Sequence, residues 1–180
     1  MAPIVQTALG WIVVLLDIRV RGYDVSVDAL GWVVIAYGAG RIRWRDPWFG
    51  WTRVAAWTAA VISLSAFWPT LEQNRTVTLV DNAVITVVVF CLATGMLETL
   101  RPGERHGVRR QLHAIRLLAV GLQVVTLLGA TVRPFATDVG NGALAFGYIV
   151  GQVVLVWFVV LQLILGGRPD FAEYADPARR

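Results

Sequence analysis

Lysine is absent from this 180-residue chain; all 16 basic residues are arginine. Chemistry that passes through a lysine Schiff base is therefore excluded, retinal attachment included. The single cysteine, Cys91, rules out an intrachain disulfide and says nothing of compartment. The two histidines, His106 and His113, have neither a cysteine nor a well-spaced carboxylate beside them, which gives no basis for a metal site. Nucleophile elbows, Ser/His/Asp sets, phosphate loops and Cys-x-x-Cys pairs are all missing. No catalytic residue and no cofactor is assigned on this pattern. Charge is scarce as well, at 16% of residues, against about 25% in typical soluble chains.

What fills the chain is apolar: 57% of residues are hydrophobic and the mean hydropathy is +0.63. Six runs are expected to form membrane helices, over residues 3–18, 29–44, 50–68, 77–99, 114–133 and 142–166. The last holds no charged residue and exceeds the roughly 20 residues that a crossing requires. Each of the others, taken alone, could be a buried helix of a soluble domain. Six of them in one short chain leave almost no polar surface to cover a core. The expected fold is an all-α polytopic membrane helix bundle of about six transmembrane helices over residues 1–166, followed by a solvated cytoplasmic tail, 167–180. The first run lacks a basic leader and a small-residue cleavage site, so it reads as a retained helix.

The fourth run shows where its charges must lie. Between Asp81 and Glu98, Val84, Ile85, Val87, Val88, Val89, Phe90, Leu92 and Leu97 supply roughly −2 to −5 kcal/mol of insertion free energy. A carboxylate at mid-bilayer costs about 2.5–3.5 kcal/mol, so two would cancel that gain. Asp81 and Glu98 are expected at opposite ends of the span, or paired or protonated. Arg53 and Arg116 fit the same pattern by snorkelling toward one interface.

Loop charge sets the orientation. With the N-terminus inside, inner segments carry Arg41, Arg43, Arg45, Arg53, Arg101, Arg105, Arg109, Arg110, Arg116, Arg168, Arg179 and Arg180. Outer segments carry Arg19, Arg21, Arg75 and Arg133. That asymmetry places both termini in the cytoplasm of a cell-membrane protein. Trp44, Trp48 and Trp51 would then mark the inner interface and Trp68 the outer one. The net charge of +4 reads as attraction of the inner arginines to anionic lipid, and not as nucleic-acid binding.

The densest polar stretch is Leu16-Asp17-Ile18-Arg19-Val20-Arg21-Gly22-Tyr23-Asp24-Val25-Ser26-Val27-Asp28, a hairpin joining the first two helices. Asp28 can cap the second helix by accepting from free first-turn amides. Two readings stand: the charges satisfy one another and the hairpin backbone, or they form an outward-facing site for a cation, a proton or a phosphate headgroup. Asp81 and Arg133 could join that site from the fourth and fifth helices.

Leu16, Asp17, Arg19, Gly22, Tyr23, Asp24, Asp28, Gly31 and Trp32 match a motif that resembles one found in small multi-pass bacterial membrane proteins. Val27 stands where that motif has proline, which removes a rigid point from the turn. The resemblance covers the first hairpin alone. It implies no activity, only that Asp17, Arg19, Asp24 and Asp28 form one unit. The Asp24–Asp28 spacing also matches the end of the CDP-alcohol phosphotransferase metal signature. The preceding aspartate pair, with its glycine and alanine-arginine, is absent, and the hairpin is expected outside the cytosol.

Three further features belong to the inventory. Residues from Glu98 to Arg116 form a charge-rich turn, in which a basic cuff facing lipid fits better than a histidine metal site. Ala143, Gly147 and Gly151 make a small-residue ridge on the last helix, suited to close packing. Gln123, Gln152 and Gln162 are mid-span amides, each explained by an interhelical hydrogen bond. The leading functional expectation is transport or recognition of a small charged solute or lipid headgroup at an outward-facing site of Asp17, Arg19, Asp24, Asp28, Asp81 and Arg133. The alternative is a structural or accessory subunit, a homo-oligomer or a partner of another membrane protein, docking through the Ala143–Gly147–Gly151 ridge.

Overall fold

The computed structural model describes residues 1–16, 19–20, 23–24, 28–64, 75–100, 106–131, 138–168 and 171. Within them the chain is helical. In order, α1 is Pro3–Leu15, α2 Asp28–Ile42, α3 Pro47–Ser63, α4 Arg75–Thr99, α5 His106–Thr131 and α6 Asp138–Gly166. Between α1 and α2 a two-rung antiparallel ribbon pairs β1 (Arg19–Val20) with β2 (Tyr23–Asp24).

The six helices fall where the six apolar runs lie, but their ends differ for physical reasons. Asp46 Oδ1 accepts from Trp48 N at 2.8 Å and Pro47 takes the first helical position, so α3 starts three residues before its apolar run. The turn Arg43–Arg45, closed by Arg45 N donating to Ile42 O at 3.0 Å, ends α2 at Ile42 and not at 44. α1 stops at Leu15, short of 18, because by Arg19 the chain is in the ribbon. The largest correction is α5. The charge-rich turn expected up to Arg116 is helical from His106 onward, so α5 begins eight residues earlier than its apolar run. An apolar run measures the lipid a helix meets, whereas the helix itself continues through any residues whose backbone stays bonded.

Three of the helices are long and apolar enough to cross a membrane, over Leu79–Thr99 of α4, His106–Leu128 of α5 and Ile149–Gly166 of α6. The other three have 13, 15 and 17 residues, about 20–26 Å at 1.5 Å per residue, against a hydrocarbon core of about 30 Å. Their outward faces are nonetheless apolar: Leu30 and Tyr37 on α2 and Trp51, Val54 and Val61 on α3 are all exposed. A water-soluble surface rarely gathers such residues.

Packing is up-and-down. Each helix lies against its neighbours in sequence, and α6 returns to α1, so the main contacts close a ring. The registers run antiparallel at every seam for which side chains are placed. Trp11 of α1 lies 6.5 Å from Phe158 of α6, Thr7 bonds Gln162, and Gly166 touches Val5. Phe49 of α3 packs on Gly95 of α4, while Val61 and Ile62 border Thr76, Val77 and Val80.

Two places on α1 and α2 are closely packed. Trp11 is fully buried, edge-on to Trp32 at 5.1 Å and 73°, so these two tryptophans belong to the core and not to an interfacial belt. Trp44 and Trp51 are exposed as an interfacial role requires, and Trp68 lies outside the described residues. On the α1–α2 seam, a Cβ on Gly10 would stand 2.6 Å from Gly31 O, one on Gly31 would stand 2.7 Å from Gly10 O, and one on Gly38 would stand 2.9 Å from Pro3 O. Only a missing side chain permits backbones this close. Past α6, Phe171 is buried in the core, so packing involves the fifth residue of the segment expected to be solvated.

Candidate functional site

The expected hairpin site is described only in part. Asp17 and Arg133 lie outside the described residues. The ribbon register sets Arg19 opposite Asp24, which brings two of the expected residues to one rung. Asp28 is the first residue of α2, in the first turn and not ahead of it, where a carboxylate still favours the positive end of the helix dipole. Asp81 is half-buried in the second turn of α4. It makes no hydrogen bond or ion pair among the described residues, and Arg133 and the Arg75 side chain lie outside them.

The polar cavity lies elsewhere, between α4, α5 and α6, with a volume of about 280 Å³. α4 contributes Asn82, Ile85, Thr86 and Val89; α5 contributes Ala119, Leu122, Gln123 and Thr126; α6 contributes Gly151, Gln152, Val154 and Leu155. Asn82 immediately follows Asp81, so the expected carboxylate borders this space in sequence without lining it. Every polar group on the wall is neutral: three amides and two hydroxyls.

Proton arithmetic singles out Gln123. Thr86 Oγ1 stands 3.0 Å from Asn82 O and 3.3 Å from Gln123 Oε1. A hydroxyl has one proton, and the nearer backbone carbonyl claims it more strongly. Gln123 Nε2 is buried with no partner among the described residues. Its amide thus brings both a donor and an acceptor to the cavity wall, in surroundings where an unmade hydrogen bond costs about 1–3 kcal/mol. Thr126 is occupied by its own helix, donating to Leu122 O at 2.9 Å. The arrangement can hold a molecule that both gives and accepts hydrogen bonds within an otherwise apolar shell.

The sequence-level explanation of Gln123 is half the story: it does meet α4, at Thr86, but its amide nitrogen is left over. The signal that points to the cavity is the spacing of polar residues inside apolar runs. Asn82 and Thr86 stand at i and i+4 on α4, and Gln123 and Thr126 at i and i+3 on α5, so each pair shares one helix face. Continued back along α5, that face reaches Arg116 and Arg109 at successive intervals of seven. Arg109 Nη1 donates to Leu97 O at 3.2 Å and Leu100 O at 3.0 Å, closing the C-terminus of α4. Arg116 turns onto α4 rather than away from the bundle: Nη1 donates to Thr94 Oγ1 at 3.3 Å and the guanidinium sits 5.0 Å over the Phe90 ring.

Of the packing ridge, Gly151 is placed. A Cβ there would meet Leu122 Cδ1 at 3.8 Å, so its face is turned toward α5 of the same chain at ordinary contact distance. Ala143 and Gly147 lie on α6, with side-chain positions outside the described residues. His106 and His113 are both exposed on α5. No protein-family model, curated protein or solved structure matches the chain.

Proposed function

We propose that the protein is a six-span protein of the cell membrane, both termini cytoplasmic, that recognises or transports a small charged solute or lipid headgroup from the outer side. The single observation that supports this most is the cavity among three spanning-length helices, walled by neutral polar groups and bearing a Gln123 amide nitrogen with no partner among the described residues. Its volume sits at the lower edge of the ~300–1,000 Å³ usual for small-molecule sites. In the proposed orientation the Arg75 end of α4 is outermost, so Asp81 stands one residue outward of Asn82. The carboxylate then meets a cationic group of the ligand while hydroxyl or ester oxygens enter the amide-lined space. Arg19, Asp24 and Asp28 of the hairpin are the further charged groups of the proposed site, with Asp17 and Arg133, which lie outside the described residues.

The short helices α1 to α3 complete six spans by thinning the bilayer locally, at a cost of fractions of a kcal/mol per Å. The exposed apolar faces of α2 and α3 support their contact with lipid. Docking of a partner through Gly151 draws no support from a glycine that faces α5 of its own chain.

The test is thermal unfolding of the purified protein in a neutral detergent, with glycerophosphoethanolamine, glycerophosphocholine and glycerophosphoglycerol as probes. At least one should raise the midpoint, and the rise should disappear in Asp81→Asn and in Gln123→Leu while both variants stay helical. Wild-type response in both variants would dismiss the site.

A further inference from the structure

Arg116 has ten α5 residues before it, about 15 Å of helix; it is half-buried with Nε enclosed, and a guanidinium so placed is expected to be paired. Its pairing is incomplete. Of five N–H donors, one reaches Thr94 Oγ1 at 3.3 Å, and Nε is buried with no acceptor among the described residues. Thr94 offers only a neutral hydroxyl oxygen, oriented by donating its proton to Phe90 O at 2.6 Å, and no charge to balance the guanidinium. Among the described residues no carboxylate pairs with it. Asp46 is engaged in capping α3, and Glu98, one turn from Thr94, is exposed. Phe90 contributes its ring face, which attracts the cation but accepts no directed hydrogen bond.

The level at which this happens is informative. Trp48, in the first turn of α3, packs edge-on to the same Phe90 at 5.9 Å and 76°. A tryptophan at a helix start beside the Arg43–Arg45 turn marks headgroup depth. Arg109, seven residues earlier on the same face, spends its guanidinium on α4 carbonyls, so two cations line one seam with no anion paired to either among the described residues.

We infer that Arg116, backed by Thr94 and Phe90 where α3, α4 and α5 meet, is a binding site for a phosphate oxyanion. The fork of Nη2 and Nε suits two oxygens of one phosphate. The same chemistry is offered by a phospholipid headgroup and by free phosphate. The site lies at the end of the bundle that holds the Arg43–Arg45 turn and does not rest on the cavity reading.

The experiment uses the full chain, delipidated in dodecyl maltoside, with unfolding midpoint and native mass spectrometry as readouts. One arm adds phosphatidylglycerol against digalactosyldiacylglycerol, which lacks phosphate. The other adds millimolar inorganic phosphate against chloride at equal ionic strength. Stabilisation and one retained adduct with phosphatidylglycerol alone identify a lipid headgroup site; the same response to inorganic phosphate identifies a soluble-anion site. In Arg116→Gln the responding ligand should bind roughly tenfold or more weaker, and in Arg116→Lys by less, while Arg110→Gln, an exposed arginine on the same helix, behaves as wild type. Should Arg116→Gln fail to fold, Thr94→Val, which keeps the charge and frees its position, must also weaken binding. Wild-type protein that responds to neither probe, or variants at 116 and 94 that bind as wild type, overturn the site.

Discussion

Thr7 on α1 and Gln162 on α6 meet at 2.6 Å between hydroxyl and amide oxygen, both fully buried, 155 residues apart in sequence. No other side-chain hydrogen bond among the described residues joins elements so far apart in the chain, and this one lies on the seam that closes the ring. Trp11, one turn from Thr7, stacks its edge on Phe158, one turn from Gln162, so the polar contact and the aromatic contact are two rungs of one interface.

Breaking that rung should loosen α6 from α1. Thr7→Val takes the donor from the buried Gln162 amide oxygen and is expected to destabilise by about 1–3 kcal/mol, whereas Gln162→Leu leaves the Thr7 hydroxyl bonded to Ile4 O at 2.8 Å and strands nothing. The double variant, which strands nothing, should cost clearly less than the sum of the two. A double-mutant cycle on detergent unfolding midpoints measures the difference; strict additivity would mean that the pair is not coupled.

Glycine positions separate close backbone approach from ordinary packing. Gly31→Ala drives a methyl against Gly10 O at 2.7 Å and Val14 Cγ2 at 2.6 Å, and should cost about 1–3 kcal/mol through overpacking. Gly151→Ala meets only Leu122 Cδ1 at 3.8 Å, and as a helix-interior change it should be neutral or stabilising by about 0.5–1 kcal/mol. Equal destabilisation by both would contradict the α1–α2 geometry.

Arg109 gives a third measurement. Its guanidinium covers the carbonyls of Leu97 and Leu100 at the end of α4, so Arg109→Ala should cost about 1.5–3 kcal/mol, as for hydrogen bonds to a charged group. Arg110→Ala, exposed on the neighbouring position, should stay within about 0.5 kcal/mol of wild type. Matching losses would assign the effect to net charge and not to the cap.

These residues also show how far the chain could be read unaided. Helix number and order were legible because the apolar residues gather into six long runs with few charges inside them, separated by stretches rich in Asp, Pro or Arg. Helix ends were not, since α3 begins at an Asp46–Pro47 cap and α5 at His106, both ahead of their apolar runs. The small-residue ridge was sought at a spacing of four on α6, whereas the closest backbones meet at Gly31 and Gly38, seven apart on α2, across from α1. Seven residues are also two turns of one face, but a four-residue pattern does not register them. The cavity hides for a related reason. Asn82, Thr86, Gln123 and Gln152 are single polar residues on three helices, and only the fold puts them on one wall. The hairpin carboxylates stand out because they are adjacent in sequence, which says little about what converges in space.

Orientation is the remaining physical claim, and cysteine chemistry can decide it. Cys91 is the sole cysteine and is buried, so Cys91→Ala provides a background with no labelled site. On that background, Ser26→Cys between α1 and α2 should react with a membrane-impermeant maleimide in intact cells. Trp44→Cys in the α2–α3 turn and Gly167→Cys after α6, both exposed, should react only after the membrane is opened. The arginine asymmetry is what drives this expectation, because inner segments carry most of the guanidinium charge. Labelling of Ser26→Cys only from the interior would invert the bundle, turn Asp81 toward the cytosol and remove the outer-side ligand. If Ser26→Cys and Trp44→Cys were labelled from the same side, α2 would not cross the bilayer, and the six-span count would fall while the α4–α6 cavity stood.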